Sequence, residues 1–575
     1  MALIQIDKRH NTGFPIVVGI TGHRDPAHPE RVAACIRDGL RQISARWPQS
    51  DIVGLSPLAD GVDRIFAHEV LDAGHRLRVA LPMPAETYVQ DFSPDSRVEF
   101  DALCARAELV AQAPPVSGME PGDDPRTAQY LAVGFYVAQS CHIMFAGWDG
   151  RINGLIAGTA HIVHARLSGV YDRVADLDVA PNRQEADVCP ASHLTYLIRT
   201  ERKGADRDAP DIDFGADAKW GLSPKALRGL AGRDRLSEVS QTASLDQMVR
   251  MGRRLNITDV PDHDTDGIGR LRAVRDAVEA NADRYISRER ARLPLLLLFA
   301  ILAVGSFSVY GDFYDLIQAS WVLLIVYALS LAGIAGLAQL QSKRLTSSDP
   351  TGWRRLAEAL RVVIAWHRAG VGVPWDELKP GSAFRLTRRD DWVDCALRAH
   401  LIGYNDPAAP KGGVRDLSTL ETEWVDDQIA YFENKDSQTA RLDLMHRLGG
   451  MAFLIGILCV LGSGYFEFTQ TTGSPASRIV WFMAGAFPAI GALLSGYAAV
   501  LEQSTPTSER DRMLLMFREL KSRLEAYGKE SSITPHKTRR LRSAIITVGR
   551  SALAEVQNWS ELTNDAIRKA RDVGR

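Results

Sequence analysis

The sequence predicts an α/β, Rossmann-like N-terminal domain with a parallel sheet, joined to an α-helical membrane domain with four transmembrane helices. Three observations predict this fold class. Within residues 15–170, short apolar runs alternate with helical patterns, which is typical of βαβ units. Four later spans carry almost no formal charge, and they occur as two pairs separated by a long polar segment.

The overall composition hides this division. The 575 residues include 68 Lys and Arg against 70 Asp and Glu, a formal net charge of −2. This balance argues against a generally basic nucleic-acid-binding protein, so no nucleic-acid partner is expected. Hydrophobic residues at 46% and charged residues at 24% exclude collagen-like, disordered and disulfide-scaffold classes.

Five apolar runs in the N-terminal region are predicted strands, and they lie at residues 16–20, 52–56, 77–81, 109–112 and 142–146. Amphipathic stretches such as 29–47 and 63–73 lie between them and predict helices. Residues 193–200 predict another strand. In open parallel sheets, ligands bind at the carboxyl ends of the strands, where backbone amides and helix N-termini face one crevice.

Three loops at those strand ends carry candidate binding residues. These residues are Thr21, Gly22, His23 and Arg24 in the first loop, Ala59, Asp60, Gly61 and Asp63 in the second, and Asp149, Gly150, Gly158 and Thr159 in the third. Taken singly, each loop is equally typical of an ordinary βα turn. Their common position at one predicted edge of the sheet favours a ligand site.

The residue types in these loops suit a phosphate joined to a ribose. Arg24 offers a forked donor for phosphate, and the glycines of each loop let backbone amides approach an anion. The aspartates can accept a hydrogen bond from a ribose hydroxyl or a base. Asp60 or Asp63 can instead cap the following helix.

The cysteines and histidines do not predict a metal site. The six cysteines are Cys35, Cys104, Cys141, Cys189, Cys395 and Cys459. They are scattered, without a C-x-x-C pair, so we expect reduced thiols in a cytosolic compartment. His161 and His164 lack further ligands nearby, which favours packing or surface roles. The N-terminal residues lack the apolar segment of a signal peptide, so the chain is expected to start in the cytoplasm.

Each uncharged span is close to the ~18–20 residues that cross about 30 Å of hydrocarbon as a helix. The spans lie at residues 293–310, 316–340, 448–466 and 479–501. The alternative, a set of buried core helices in a large soluble domain, is less favoured because core helices rarely lack charge over such lengths.

Basic residues indicate the orientation of the spans. They precede the first span and follow the second span of each pair, and they are Arg284, Arg288, Arg290, Arg292, Lys343, Arg344, Arg354, Arg355, Arg441, Arg447, Arg510 and Arg512. The turns within the pairs carry Asp312 and Asp315 in one case, and Glu467 and Arg478 in the other. The positive-inside rule therefore predicts that both termini are cytoplasmic.

The spans contain features that suit close helix packing. Gly333 and Gly336 in the second span, and Gly491 and Ser495 in the fourth, form small-residue faces. Pro488 can kink the fourth span. No ionisable side chain lies deep in any span, which argues against a proton-coupled transporter and leaves a pore or a plain anchor open.

The three loop motifs resemble the SLOG superfamily. The motifs are ITGHRD at 20–25, LSPLADGVDR at 55–64, and WDG at 148–150 followed by GT at 158–159. This superfamily includes the LOG-type nucleotide phosphoribohydrolases, the DNA-processing DprA proteins and the N-terminal domain of TRPM channels. The resemblance covers about residues 15–170 and implies a Rossmann-like pocket for a nucleotide or nucleotide-derived ligand, with no other cofactor.

One departure from the hydrolase branch bears on turnover. LOG hydrolases carry PGGxGTxxE, whose Glu assists cleavage of the glycosidic bond. The corresponding stretch here is LIAGTAHI, in which Ile162 stands at the position of that Glu. An apolar side chain cannot act as a general acid or base. The resemblance therefore implies a sensor that binds without turnover; a membrane-anchored nucleotide N-glycoside hydrolase of the LOG type is the alternative.

The segment WVDDQIAYFENKDSQTA at 424–440 is similar to the sequence before the helix pair in SLATT domains. Trp424, Gln428, Tyr431 and Phe432 fall on one helix face that can pack on a neighbour, although ordinary core packing explains them equally well. SLATT domains are two-span modules found beside SLOG and nucleotide-synthase genes in bacterial antiviral defence. The first pair of spans is interpreted as a degenerate copy of the second pair.

Together these resemblances imply a nucleotide-sensing membrane effector of bacterial antiviral (abortive infection) defence, in the form of a ligand-gated pore. The expected partners are a nucleotide-type signal molecule, the lipid bilayer of the bacterial inner membrane, further copies of the chain and a nucleotide-producing synthase. A constitutive transporter with a regulatory nucleotide domain is disfavoured by the uncharged spans.

The predicted domains are 1–170, with an extension to about 215 as an alternative, then 171–270 as a connector, 271–345 as the first hairpin, 346–447 as a cytoplasmic helical segment, 448–502 as the second hairpin and 503–575 as C-terminal cytoplasmic helices.

Overall fold

A computed structural model describes residues 13–113, 124–152, 154–168, 171, 194–203, 217–221, 233–239, 242–255, 268–313, 320–370, 391–402, 417–469, 474–502, 507–529 and 534–573. The chain divides into two compact units. The sheet unit comprises Met1–Val278, Arg355–Leu417 and Ser532–Gln557, and the helical unit comprises Glu279–Arg354, Ser418–Ser531 and Asn558–Arg575. Residues 1–12, Cys189 and Asp315 lie outside the described residues.

A seven-stranded sheet lies at the centre of the sheet unit. Its strands are β1 (Ile16–Gly22), β2 (Ile52–Ser56), β3 (Arg76–Leu81), β4 (Leu109–Gln112), β5 (Ile143–Trp148), β6 (Thr195–Arg199) and β7 (Ala218–Gly221). Their order is β4-β3-β2-β1-β5-β6-β7, and only the β6–β7 pair is antiparallel. The predicted parallel, Rossmann-like sheet is confirmed as a mixed sheet in which parallel pairs dominate.

The five predicted strands are present, and the additional strand predicted at 193–200 is β6. Strand β7 lies in the segment interpreted as a connector, and the sequence does not predict it. Its Trp220 is fully buried and packs on Tyr196 of β6, with ring centroids 4.6 Å apart. The sheet therefore extends to Gly221.

Sixteen helices surround the sheet or form the helical unit within the described residues. They are α1 (Pro29–Arg46), α2 (Val62–Asp72), α3 (Ala85–Tyr88), α4 (Pro94–Arg106), α5 (Pro125–Ser140), α6 (Thr159–Ser168), α7 (Ala243–Gly252), α8 (Gly269–Phe313), α9 (Trp321–Ser348), α10 (Pro350–Arg368), α11 (Asp391–Leu401), α12 (Leu417–Leu420), α13 (Asp427–Phe468), α14 (Pro475–Glu502), α15 (Thr507–Gly528) and α16 (Pro535–Val573). Proline occupies the first turn of α1, α4 and α5, where its missing N–H leaves no helical hydrogen bond unmade.

The sheet is covered on both faces, which explains why its central strands are apolar at nearly every residue. Helices α1 and α2 lie on one face, where Phe145 of β5 packs against Phe66 and against the backbone at Gly39. Helices α5 and α6 lie on the other, where Val137 and Cys141 pack against Gly19 of β1. The core therefore lies in two layers, one on each side of the strands.

Helix α11 belongs to the sheet unit, although the sequence predicts 346–447 as a separate cytoplasmic helical segment. His142, at the start of β5, accepts a hydrogen bond from Val17 N–H at 2.9 Å and contacts Cys395 O through Nε2 at 2.6 Å. Arg398 Nη1 donates to Gln139 O at 2.9 Å. These bonds attach α11 to the sheet and to α5.

The helical unit contains three helices that are long and apolar enough to cross a membrane, which suggests a membrane protein. These spans are Pro294–Phe313, Asp443–Phe466 and Pro475–Ala498. The second predicted span is represented by a shorter apolar helix, Trp321–Leu337. Residues 316–319 of that predicted span lie outside the described residues, and Gln339 and Gln341 follow its apolar part. Within the part of the chain that the structure describes, three rather than four spans therefore meet the length requirement.

Helices α13 and α14 pack closely through small residues. A Cβ added to Gly456 would lie 2.4 Å from Pro488 Cγ, and one added to Gly449 would lie 2.6 Å from Ser495 Oγ. A Cβ on Gly491 would lie 2.8 Å from Gly449 O. The small-residue face predicted for Gly491 and Ser495 is confirmed.

The small residues of α9 differ from each other. The Phe299 ring of α8 lies 3.0 Å from the Cβ position of Gly333, so this glycine permits a close helix contact. Nothing among the described residues lies within 4 Å of that position at Gly336. Only the first of the two predicted glycines therefore faces a described neighbour.

The helix face predicted at 424–432 packs within the helical unit. Trp424, Gln428 and Phe432 are buried, whereas Tyr431 is 39% exposed. Trp424 and Phe432 contact the Phe517 ring of α15, with centroids 5.5 and 6.1 Å away. The neighbour of this face is therefore a helix of the same chain.

Candidate functional site

The carboxyl ends of β1, β2 and β5 are adjacent because β1 lies between the other two strands. The chain proceeds from β1 outward to β4 and then returns past β1 to β5, so the strand order reverses between β1 and β5. Open α/β sheets bind ligands at such a switch point. We call residues 21–25, 56–64 and 149–159 the rim. It contains all twelve predicted binding residues, beginning with Thr21, which is in register with Ala146 of β5.

His23 joins the first loop to the turn after β5. Its backbone N–H donates to Gly147 O at 3.1 Å, and its Nε2 accepts from Asp149 N–H at 3.1 Å. Asp149 Oδ1 accepts from Arg151 N–H at 3.0 Å across a turn in which Gly150 has φ +78°. Burial alone would raise the pKa of Asp149, but its contacts with His23 and Arg151 hold that pKa below its ordinary value.

Two predicted glycines bring the first and second loops together. A Cβ on Gly61, where φ is +83°, would lie 2.4 Å from Arg24 O and 2.6 Å from His23 O. A Cβ on Gly22 would lie 2.5 Å from Val62 Cβ. Val62 N–H donates to His23 O at 3.1 Å. The close approach that these glycines permit is made toward the neighbouring loop, because only a hydrogen atom fits in each gap.

Asp60 is engaged by side chains of α2 and α4. It accepts from Ser96 Oγ at 2.5 Å and lies 3.0 Å from Arg64 Nη2. Arg64 is buried, pairs with Glu99 at 2.9 Å and donates to Leu58 O at 3.2 Å. Leu58 has φ +56°, a left-handed conformation that is costly for a branched residue. Arg64 therefore holds a strained loop, a role that the sequence does not indicate.

Asp63, the second residue of α2, is 5% exposed. Its carboxylate accepts a hydrogen bond from Ala59 N–H, while Oδ1 has no hydrogen-bond partner among the described residues. Burial raises the pKa of Asp63 to about 7, and the charges of Arg24 and Arg64 limit the rise. A buried carboxyl with an unmatched oxygen is expensive to keep ionised, so this group is sensitive to charge at the rim.

Arg24 is exposed, and among the described residues it forms no ion pair. Its guanidinium carbon lies 4.9 Å from the centroid of the Tyr130 ring, a cation–π contact. The Tyr130 hydroxyl donates to Asp91, and its ring lies 6.2 Å from that of Tyr88. The sequence does not indicate Tyr130 as a site residue, because α5 is not adjacent in the chain to any of the three loops.

The third loop satisfies its backbone groups locally. Gly158 N–H donates to Leu155 O at 3.2 Å, and Ala157 N–H, at φ +62°, donates to His161 Nδ1 at 3.3 Å. Thr159 is the first residue of α6. No hydrogen bond within the described residues connects Gly158 or Thr159 to the first two loops. The structure therefore unites the first two loops with Asp149 more closely than with the start of α6.

Ile162, at the position of the LOG glutamate, is buried in the core between α5 and α6. Its Cδ1 lies 2.5 Å from where a Cβ of Gly134 would be. The apolar side chain fills the space left by this glycine. A carboxylate at this position would be surrounded by apolar groups.

No group of three or more metal-ligating side chains occurs among the described residues. His161 is buried and packs edge-to-face on Phe135 at 5.5 Å, in agreement with its predicted packing role. The described cysteines are free thiols, as expected, and they are Cys35, Cys104, Cys141, Cys395 and Cys459.

The chain matches no protein-family model, and no curated protein matches it in sequence. The resemblance to the SLOG and SLATT families therefore stays a prediction from the quoted motifs. The functional interpretation rests on the geometry of the rim and on the apolar helices.

Proposed function

We propose that the chain is a nucleotide-sensing membrane effector, a ligand-gated pore of bacterial antiviral defence. The observation that carries this proposal is Arg24, an exposed guanidinium without an ion pair among the described residues, at the switch point of a Rossmann-like sheet. The same chain contains three helices apolar enough to cross a membrane. An anion-binding edge and a membrane region in one chain favour a sensor coupled to a membrane response.

The rim contacts suggest how the binding roles divide. Arg24 keeps its hydrogen-bond donors available for a phosphate while Tyr130 covers one face of the guanidinium. Asp60 and Asp149 already accept hydrogen bonds from neighbouring groups, so they shape the loops. Asp63 is the rim carboxylate that retains an oxygen without a donor among the described residues. In this proposal Arg24 contacts the anion, and the nearby carboxyl of Asp63 is sensitive to the charge of that anion.

The membrane part of the proposal has four helices in two hairpins, with both termini cytoplasmic and several copies of the chain around one pore. It is supported by the apolar faces that the spans expose. In the most apolar stretch of each span, only 17% of the residues of Asp443–Phe466 and 11% of those of Pro475–Ala498 are buried. These faces suit contact with lipid or with a second copy. A nucleotide-producing synthase is the proposed source of the signal.

The energy required of the ligand is moderate. To change a pore from ~1% to ~99% open, a ligand must bind the open state more tightly by about 5.5 kcal/mol. Charge-assisted hydrogen bonds contribute roughly 1.5–3 kcal/mol each. A few phosphate contacts made in one state only would be sufficient.

The test is release of a trapped dye from liposomes that contain the purified chain. Nucleoside mono-, di- and triphosphates, cyclic dinucleotides, NAD and ADP-ribose are added in turn. We expect at least one to cause release, and we expect Arg24→Ala to raise the concentration required at least tenfold. Arg41→Ala, which removes an exposed arginine of α1 paired with Asp38, is the matched control. Absence of nucleotide-dependent release, or release unaltered in Arg24→Ala, would contradict the proposal.

The hydrolase alternative has a separate test. It requires a general acid or base in place of the family glutamate, and Ile162 cannot supply one. Incubation with nucleoside monophosphates or NAD, followed by chromatography, would reveal a free base or nicotinamide if the chain cleaves an N-glycosidic bond.

A further inference from the structure

The carboxylate of Asp63, when it is ionised, opposes the binding of an anion nearby. It lies in the first turn of α2, where a helix N-terminus attracts negative charge, and its carboxylate already accepts from the backbone N–H of Ala59. The side chain is 95% buried, and Oδ1 has no hydrogen-bond donor among the described residues. A second negative charge beside this carboxylate would be repelled in a region with little water.

Three charged or titratable groups interact with Asp63, and they are Arg24, Arg64 and Tyr88. The buried cation Arg64 lies within 3.0 Å of both Asp60 and Glu99, so its positive charge is matched by two carboxylates. The buried Tyr88 hydroxyl is close enough to Asp63 for the carboxylate charge, together with burial, to raise the pKa of the tyrosine. Arg24 is therefore the available counter-charge for Asp63.

The first two loops keep Arg24 and Asp63 close together. The Gly61 Cα packs against the Arg24 carbonyl, and Val62 N–H donates to the His23 carbonyl at 3.1 Å. An anion that binds the guanidinium therefore competes with Asp63 for the same positive charge. A proton on Asp63 would remove this competition, because it neutralises the carboxyl and leaves Arg24 to the anion.

On the basis of the proposed anion site, we propose that an anion binds at Arg24 together with one proton, which is taken up from solvent by Asp63. The overall step is protein plus anion plus H⁺ giving the complex, and the new O–H bond is on the Asp63 carboxyl. Burial raises the pKa of Asp63 to about 7 even with Arg24 nearby. Affinity is then greatest below this pH and falls as the free protein loses the proton, approaching tenfold per pH unit.

Sulfate is the probe, because its charge is constant between pH 6.5 and 8.5 and it resembles phosphate in shape. The midpoint of sulfate binding to the full chain in detergent is measured from the rise in unfolding temperature, with chloride at equal ionic strength as reference. With the pKa of Asp63 at about 7, the midpoint concentration should increase roughly 25-fold from pH 6.5 to 8.5.

Three variants identify the proton-binding group. Asp63→Asn should bind sulfate at both pH values about as tightly as the unchanged protein does at pH 6.5. Glu86→Gln, a control at an exposed carboxylate outside the rim, should keep the pH dependence. Arg24→Ala should bind at neither pH. If Asp63→Asn does not fold, the test is the unchanged protein and the carboxylate control, in both of which the midpoint concentration of sulfate must rise between pH 6.5 and 8.5.

Three results would overturn this inference: no sulfate binding at pH 6.5, a midpoint that does not vary with pH, or pH dependence that persists in a folded Asp63→Asn protein. None of them depends on a pore. Nucleotide-dependent dye release with pH-independent sulfate binding would contradict this inference alone. Proton-linked sulfate binding without any dye release would contradict the proposed function and leave the site intact.

Discussion

The two ends of the parallel sheet use charge differently. At the amino ends, Glu108 lies 3.0 Å from Arg76, 3.4 Å from Arg78 and 2.7 Å from Arg270, the last of which is in α8. At the rim, by contrast, Arg24 is exposed without an ion pair among the described residues, and Asp63 has an oxygen without a donor. Charges that are matched by contacts stabilise a fold, whereas charges left available can respond to a ligand.

The largest effect on stability is expected at the amino end. Burial opposes the charge of Glu108, but Arg78, Arg76 and Arg270 outweigh it and lower the pKa of this carboxyl from 4.5 to about 2. Glu108→Gln leaves these arginines without their shared carboxylate, so the free energy of unfolding should fall by about 3 kcal/mol. The measurement is the unfolding temperature, and Glu86→Gln, at an exposed carboxylate, is the control.

The sign of the acid dependence follows from the same pKa. Because the folded pKa of Glu108 is below its ordinary value, its stabilisation is complete above pH 4.5 and is lost as the pH falls toward 2. Between pH 4.5 and pH 2, the unfolding temperature of the Glu108→Gln protein should therefore fall less than that of the unchanged protein. An unfolding temperature equal to that of the Glu86→Gln control would contradict the stabilising role.

A second effect concerns His142, which attaches α11 to the sheet. Burial lowers the pKa of this imidazole from 6.5 to about 3, despite its hydrogen bond to Cys395 O. Between these values the unfolded chain binds a proton that the folded chain does not, so stability decreases as the pH falls from 6.5 toward 3. The slope from one such group is about 1.4 kcal/mol per pH unit.

The check is the free energy of unfolding in denaturant at pH 7, 6 and 5. His142→Gln should be less stable at pH 7, and on acidification its free energy of unfolding should fall less than that of the unchanged protein, by about 0.7 kcal/mol from pH 7 to 6 and about 1.2 kcal/mol from pH 6 to 5. Burial also lowers the pKa of His400, so this group contributes to the acid dependence with the same sign in both proteins. His28→Gln, at an exposed imidazole, should keep the full slope. An unaltered slope in His142→Gln would show that this group titrates in the folded protein.

An intermediate effect is expected where the first two rim loops touch. Gly61→Ala introduces both left-handed strain at φ +83° and a clash 2.4 Å from Arg24 O, so stability should fall by about 2–3 kcal/mol and sulfate binding should be lost. Gly74→Ala is the comparison, since φ is also positive, at +77°, and no atom of the described residues lies within 4 Å of the Cβ position. It should cost about 1 kcal/mol and keep sulfate binding. Equal effects of the two variants would mean that the loop contact is unimportant.

The smallest stability effect is expected for Arg24→Ala. At pH 6, where the carboxyl of Asp63 is mainly protonated and needs no counter-charge, Arg24→Ala removes only a cation–π contact with Tyr130 that is weak at the surface, so the free energy of unfolding should change by about 0.5 kcal/mol or less. Loss of sulfate binding without loss of stability would sharpen the contrast between the two ends. A decrease comparable to that of Glu108→Gln would instead make Arg24 a structural residue.

Much of the sheet could be predicted from local pattern. Runs of four to eight residues identified six of the seven described strands, because strands covered on both faces are apolar throughout. The order of motifs also placed Arg24 and Asp63 at one edge, since carboxyl ends of parallel strands meet there. The membrane spans were indicated by absence of charge over a sufficient length. The shorter apolar part of α9 shows where this signal weakens.

The sequence by itself therefore determined strands β1 to β6, the rim loops and three of the four predicted apolar spans, because these follow from residues that are neighbours in the chain. Only the tertiary structure decided that α11 attaches to the sheet through His142, that Tyr130 lies under Arg24 and that Asp63 is buried with an unmatched oxygen. Each of these depends on surfaces that are distant in sequence. The charge state of a buried group is set by desolvation and by neighbouring charges, and both exist only once the fold has brought those surfaces together.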